Sequence, residues 1–336
     1  MVNEATTSVP LAEIEDKTAS ALVRHGATPE VAGHVAHAVQ IAEANGNKIC
    51  GLYYLQSYCS QLNSGRVLGD VEPVVTHDRP GAVRVDARFG FAQAAFAAGF
   101  DTATEAARAN GVCGYAIEHS HTCTSLGYFT EQLAHAGLVA IGTTNSTARV
   151  APPGGNAAVL GTNPFALAVP DGSGGVAFQF DFSTSAVALG KITMAAAAGE
   201  AIPVGWAVDE HGNDTTDPQA ALRGSLVSAG GYKGFGMGLL VEVLASALTG
   251  SVSSADMAPL KAPEGGPHNI GQFYLLIDPQ AYSGPAFHQA VTQLGALVAE
   301  QDGARLPGSR RAPVESVDIE VELWQATCEL AAQDGT

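Results

Sequence analysis

Apolar residues recur at helical spacing through the first part of the chain. From Val9 to His25, Leu11, Ile14, Ala21 and Leu22 fall on one face, and Gly26 ends the run. Thr28-Pro29-Glu30 then reads as an N-cap, a first-turn proline and an acidic first turn. It opens a second helix from Pro29 to about Asn45, with Val31, Val35, Val39 and Ala42 on one side. His34 and His37 on this helix are read as ordinary surface or core residues. A third helix is expected from Leu52 to Leu62, so the N-terminal unit is read as helical.

From Ala82 the rhythm changes. Val83–Ala87 alternates like a strand, and an Ala-rich amphipathic helix runs from Phe91 to Asn110, ending at Gly111. A strand (Val112–Ile117), a helix (Leu126–Ala136) and another strand (Leu138–Thr143) follow. This alternation predicts an α/β sheet whose linking turns, Glu118–Ser125 and Thr144–Gly155, form a ligand edge. Farther on come an apolar helix with a lone acid (Gly236–Gly250, Glu242), a strand (Phe273–Ile277) and a helix (Ala286–Glu300). A terminal helix is expected over Ser316–Gln333, on the spacing of Ile319, Leu323 and Leu330.

Composition narrows the class. The chain has 336 residues, 46% apolar and 15% charged, which describes a globular protein with a large core and two interleaved subdomains. No apolar run reaches the ~20 residues of a membrane span, and MVNEATTSVP lacks a signal-peptide form. Cys50, Cys59, Cys113, Cys123 and Cys328 are odd in number and lack CxxC spacing, which points to a reducing cytoplasm. A net charge of −17 argues against nucleic acid or an anionic membrane as the partner, and leaves open an anionic cofactor and a small-molecule substrate. The histidines are scattered, so no metal site is expected.

The richest stretch is TNSTARVAPPGGNAAVLGTNPFALAVP, followed after a spacer by FDFSTSAVALGK, from Thr144 to Lys191. Gly154, Gly155 and Gly161 can supply positive φ, and Pro152, Pro153 and Pro164 stop helices. Thr144, Asn145, Ser146, Thr162 and Asn163 offer polar groups on tight turns. Such turns suit an elongated ligand such as a dinucleotide, but composition alone fits plain β-turns equally well.

The stretch resembles the malate/L-lactate dehydrogenase family, nicotinamide-dependent 2-keto-acid and cyclic-imine reductases that lack a GxGxxG Rossmann fold. TNS, VAPxGGxxxxLGTNP and DxATSxxAxGK are matched at Thr144–Ser146, Val150–Pro164 and Asp181–Lys191. GWAVDEHGNDTTDP, GGYKGFG and LPGSRR also match, at Gly205–Pro218, Gly230–Gly236 and Leu306–Arg311. The resemblance implies a mixed-sheet α/β fold of the L-sulfolactate/malate dehydrogenase type, with a helical domain made by both termini and a homodimeric assembly. Its expected division is 1–75, 76–305 and 306–336. It further implies NAD or NADP as cofactor, bound by Ser120, His121, Thr122, Thr144, Asn145, Ser146, Asp181, Ser183, Thr184, Ser185, Gly231, Lys233, Gly234, Pro307, Gly308 and Arg310. Gly230, Gly231 and Gly234 would let backbone amides approach a phosphate, with Lys233 as a point charge.

Two segments depart from the family. SNHxGxxGYY becomes Ser120-His121-Thr122-Cys123-Thr124-Ser125-Leu126-Gly127-Tyr128-Phe129, which puts the family histidine on Thr122 and its glycine on Thr124. His121 substitutes by a one-residue shift, or the pocket is remodelled; alternatively, His119 and His121 alternate and one faces solvent. GxxSHGxxR becomes Gly46-Asn47-Lys48-Ile49-Cys50-Gly51-Leu52-Tyr53-Tyr54, replacing serine by Ile49, the proton-donating histidine by Cys50 and the carboxylate-holding arginine by Tyr54. Cys50 is either an apolar filler or a weak acid or nucleophile; Tyr54, Lys48 and Lys191 are the other candidate catalytic groups. An iminium carbon needs no proton donor at hydride transfer. The expected activity is therefore an NAD(P)H-dependent oxidoreductase acting on C=N or another acceptor that is not a 2-keto acid, in biosynthesis. The alternatives are a non-redox cyclase or isomerase and a non-catalytic homologue.

Overall fold

The computed structural model describes residues 5–309 and 314–332. β1 (Thr6–Pro10) leads into α1 (Leu11–Arg24) and α2 (Pro29–Ala44), followed by two single 3-10 turns, Lys48–Cys50 and Leu52–Tyr54, and then α3 (Leu55–Asn63). The Thr28 hydroxyl accepts from Val31 N at 3.3 Å ahead of Pro29, the start read from the sequence. Next come β2 (Val74–Arg79), β3 (Ala82–Asp86), α4 (Ala92–Asn110), β4 (Val112–Ser120), α5 (Gly127–His135) and β5 (Val139–Thr144). β6 (Phe165–Pro170), β7 (Val176–Phe182), α6 (Leu189–Ala198), β8 (Ala207–Val208), α7 (Pro218–Arg223) and β9 (Ser225–Leu226) follow. α8 (Tyr232–Glu242) continues as a π-helical turn, Val243–Ala247. β10 (Ile270–Ile277), α9 (Pro285–Ala299), β11 (Ser316–Glu320) and α10 (Val321–Ala332) complete the described chain.

The main sheet has seven strands in the order β2-β3-β4-β10-β5-β6-β7. Only β3 and β4 pair in parallel; β10 lies antiparallel to both β4 and β5. β4 and β5 therefore run the same way and end at the edge where β10 begins. The register places Ser120 opposite Ile270, and Thr144 opposite Gln272. The two turns expected at a ligand edge are indeed neighbours. Phe96, Tyr115, Phe129 and Tyr274 form the aromatic centre of the core between this sheet and α4 and α5.

A second core joins α1, α2 and α3 to the C-terminal elements through Ile14, Leu22, Val35, Tyr58 and Ile319. Here the sequence reading needs correction. Ser316–Glu320 is a strand, not the start of a helix, and pairs antiparallel with β1 from Thr6↔Glu320 to Pro10↔Ser316. Ile319 is buried as a strand residue, and the helix begins only at Val321. The spacing of Ile319 and Leu323 crossed a strand–helix junction and imitated one helical face. Gln333, Arg310 and Arg311 lie outside the described residues. Among those described, no helix is long and apolar enough to cross a membrane.

β10 and the π-helical turn pack together, and Gly271 is a point of close approach. A Cβ at Gly271 would lie 1.7 Å from the Ala245 carbonyl oxygen, which only a backbone shift could relieve. Gly271→Ala is expected to destabilise the fold by about 3 kcal/mol, read as a lower urea midpoint. An unchanged midpoint would show that the turn can back away from the strand.

Candidate active site

The turn carrying Lys48, Ile49 and Cys50 is held from two sides. Behind it, buried Glu43 accepts from Leu52 N at 2.7 Å, and burial pushes this carboxyl above its ordinary range. In front, Asn47 Nδ2 donates to Ser125 Oγ at 3.5 Å, and the Tyr58 hydroxyl donates to Thr124 Oγ1 at 3.5 Å. The Asn47–Tyr58 segment and the Thr122–Ser125 turn thus face each other. Thr124 has a positive φ of 58°, the region that favours glycine. A β-branched residue there costs on the order of 1–2 kcal/mol, which its surroundings must offset.

Cys50 is half-buried, and its thiol is pushed up to about 12. Desolvation is the main cause and the Asp181 charge adds to it, against a hydrogen bond from Asn47. Tyr54 is 6% exposed with its hydroxyl unpartnered, and burial raises its phenol well above the ordinary value. Neither group is an easy acid at neutral pH. Asp181 accepts from Gly127 N at 2.8 Å, anchoring the start of α5 beside Cys50 and Cys123. Lys48 and Lys191 are exposed. The Ile49 side chain reaches the first turn of α6, 3.9 Å from where a Gly190 Cβ would stand.

Behind the site lies a buried cluster that the sequence did not foretell. His121 is fully buried and does not face solvent; its Nε2 donates to Gln61 Oε1 at 2.6 Å, leaving Nδ1 unpartnered. Its ring meets His268 edge-on, with centroids 4.6 Å apart. Burial, the second histidine and the Arg66 cation all hold His121 well below its usual pKa. Burial followed by Arg66 lowers His268 to about 4. His119 stays half-buried at φ 52° and contacts Asp86 at 3.0 Å. Gln61, Arg66, His268 and Lys261 belong to no motif, so only the fold shows them.

The cofactor-type residues split into buried and accessible sets. Ser120 is fully buried, donating to Ile270 O and accepting from Gln272 Nε2. Thr122 is also buried and accepts from Thr124 N. Thr144 donates to Gly271 O at 2.9 Å, and Asn145 Nδ2 to Val252 O at 2.8 Å. Asn145 Oδ1 is buried without a partner at this strand edge. Ser146 Oγ lies 3.2 Å from Thr162 Oγ1, close to where a Cβ at Gly161 would collide with Ser146 O. Gly154 has the expected positive φ, whereas Gly155 and Gly161 are needed for space. Thr184 N donates to Thr162 O, and Ser185 Oγ to Ser183 Oγ and Val187 O. Glu242, the lone acid on the apolar helix, gathers Asn163 Nδ2, Ser254 N and Ser254 Oγ within 2.8 Å.

Gly230 and Gly231 both have positive φ and precede α8, where Lys233 is exposed and Gly234 buried. Gly154, Gly155, His211, Ser228 and Gly231 line a cavity of about 510 Å³. The glycine turns, the accessible Ser146 and Ser183 and the orphaned Asn145 carbonyl fit an extended, hydrogen-bonding ligand. Pro307 and Gly308 sit elsewhere. They pack on Gln179 of β7, with Gln179 N donating to Pro307 O, and Gly308 lines a cleft of about 470 Å³ that shares no residue with the first.

Residues 9–319 match the family described as Malate/L-lactate dehydrogenase. The chain belongs to the malate/L-lactate dehydrogenase family. It is 38% identical over 305 residues to a Delta(1)-pyrroline-2-carboxylate/Delta(1)-piperideine-2-carboxylate reductase of Pseudomonas aeruginosa, covering 90% of each chain. It is 39% identical over 303 residues to a (2R)-3-sulfolactate dehydrogenase (NADP(+)) of Chromohalobacter salexigens, again covering 90% of each. A crystal structure of delta1-piperideine-2-carboxylate reductase from Pseudomonas syringae pvar. tomato superposes with a TM-score of 0.90 at 34% identity, over 97% of this chain and 100% of that one. The expected fold and the expected class, an NAD(P)-dependent oxidoreductase, are borne out.

Two measurements follow from the site's protonation. Alkylation of Cys50 by iodoacetamide at pH 8 is expected to be roughly a hundredfold slower than in the urea-unfolded chain, and to keep rising past pH 10. A plateau below pH 9, seen by peptide mass spectrometry, would mean a stabilised thiolate instead. His268 has a folded pKa lowered to about 4, so the unfolded chain binds the extra proton between roughly pH 6.5 and 4. Stability should therefore fall as pH falls through that window, by about 3 kcal/mol from this residue. In His268→Gln the slope of unfolding free energy against pH should lose about one proton. An unaltered slope would place the neutral histidine elsewhere.

Proposed function

We propose that this protein reduces the C=N bond of a small cyclic imine with NADH or NADPH. One observation carries the reading. Where the family resemblance places a histidine that protonates an alkoxide, this site holds a thiol pushed up to about 12 beside an unpartnered, buried phenol. Hydride addition to a ketone needs a proton delivered at the oxygen. A protonated imine carries its own activation and leaves an amine, so the site needs only to bind, orient and exclude water. The names of the Pseudomonas relatives support the same class and make five- and six-membered cyclic imine carboxylates the first compounds to screen.

In this reading Cys50 and Tyr54 shape a dry cleft, while Lys48 and Lys191 stand at its exterior. The dinucleotide would lie along Thr144–Ser146, Ser183–Ser185, Gly231, Lys233 and Gly234, and the bound cofactor supplies the hydride. Asp181 would position α5 beside the cleft. We also propose the division 1–75, 76–305 and 306–336, a homodimer, a cytoplasmic setting and a biosynthetic role. Met237, Leu239, Leu240 and Val243, exposed along α8 and its π-helical turn, support a second copy as the cover for that face.

Calorimetry with NADH and NADPH separately is expected to give micromolar binding of one or both. Loss of reduced-nicotinamide absorbance should then accompany a cyclic imine but not pyruvate or oxaloacetate, and Cys50→Ala should turn over undiminished. Faster reduction of a keto acid than of any imine, or no dinucleotide binding, would overturn the proposal.

A further inference from the structure

Gln61 and Arg66 grip one short segment of chain from beneath. Gln61 Nε2 donates to the carbonyls of Leu260 at 2.7 Å and Ala262 at 2.9 Å. One guanidinium nitrogen of Arg66 donates to Ala262 O at 3.1 Å and Glu264 O at 2.9 Å. The Ser64 hydroxyl adds a bond to Pro263 O. Gln61 and Arg66 are 0% and 2% exposed, and His121 fixes which way the Gln61 amide points by donating to its oxygen. The backbone on both sides of Lys261 is therefore pinned. A long, flexible side chain is launched from a rigid base.

Its ammonium goes to a specific place. Lys261 Nζ lies 4.0 Å from the Tyr53 ring centroid and 4.9 Å from that of Tyr54. Lys261 is exposed, as is Tyr53; partial desolvation lowers its pKa, with Cys50 acting in the opposite direction. Among the described residues no carboxylate lies within 4.0 Å of it. A partly desolvated cation on ring faces, without a counter-ion, gains from an incoming anion.

The site around it lacks one. At Tyr54 the family resemblance has an arginine that holds a substrate carboxylate, and Lys261 now brings a cation over that same tyrosine from a segment remote in sequence. We propose that Lys261 is the anion-recognition residue of this site, holding a carboxylate of the substrate at the mouth formed by Tyr53, Tyr54 and Cys50. The proposal rests on the imine-reductase reading and deepens it: the substrate is a cyclic imine bearing a carboxylate next to the C=N carbon. A point charge in place of a planar fork orients that carboxylate less strictly, so ring size should be tolerated.

The test uses a flat ring that cannot accept hydride. Pyrrole-2-carboxylate and pyrrole are titrated calorimetrically into wild type, Lys261→Met and Lys261→Arg. The carboxylate should bind wild type, bind Lys261→Met about tenfold or more weakly, and recover most of its affinity in Lys261→Arg. Pyrrole should respond to neither change, and the melting temperature and dinucleotide affinity should hold in both variants. With a carboxylated imine, Lys261→Met should raise KM well beyond its effect on kcat. Equal carboxylate affinity in wild type and Lys261→Met, no binding to wild type, or a matching loss of dinucleotide affinity would each overturn the proposal. Lys261-dependent carboxylate binding in a protein that takes no dinucleotide would sink the reductase reading and leave this assignment standing.

Discussion

β10 is the strand on which the arrangement depends. Because it pairs antiparallel with β4 on one side and β5 on the other, these two consecutive strands run the same way and end at one edge with β10 between them. Gln272 of β10 binds the Ser120 hydroxyl across one pairing, and Gly271 takes the Thr144 hydroxyl across the other. Gly271 also lets the π-helical turn after α8 lie directly on the sheet, which carries Glu242 to Asn163 and Ser254. The segment leading into β10 then runs back over the helical layer, carrying Lys261 and His268. One strand thus ties the dinucleotide-type turns to the substrate-type turn.

The chemistry of the candidate site follows from what surrounds that turn. A thiol, two phenols and two histidines lie around it, and burial disfavours the charged form of each. The charges that act on this set include Asp181 and Lys261 at Cys50 and Arg66 at Tyr54 and the two histidines. The residues around Thr122–Ser125 and around Cys50 touch through Asn47, Ser125, Tyr58 and Thr124. They form one continuous surface. Such a surface can exclude water and orient a ring, while leaving proton delivery to the substrate's own nitrogen.

Much of this was legible in the chain, for local reasons. α1, α2, α4 and α9 carry their spacing and end signals within themselves, and the cofactor-type turns carry motifs in family order. β1 and β11 were not legible, since each is stabilised by a partner at the opposite end of the chain. β6 and β7 hid inside a stretch whose glycines and prolines read as turns. The clamp on Lys261 could not be read, because Gln61 and Arg66 lie nearly 200 positions from the carbonyls they hold. His121 was ambiguous for a similar reason: its burial is made by Tyr58, Phe91 and His268, none of them its sequence neighbours. Pro307 and Gly308 matched a motif, yet pack against β7, away from the glycine turn before α8.

The pairing of β1 with β11 sets an order on synthesis. The first strand leaves the ribosome with no partner, and α1 emerges without α10 to cover it. The seven-stranded sheet, by contrast, has all its strands once Ile277 is out. The sheet can therefore consolidate while the leading helices wait, and β11 and α10 act as the fastening that completes the helical layer. A chain halted shortly before Ser316 would present a finished sheet with an open apolar flank, the form most exposed to aggregation or proteolysis.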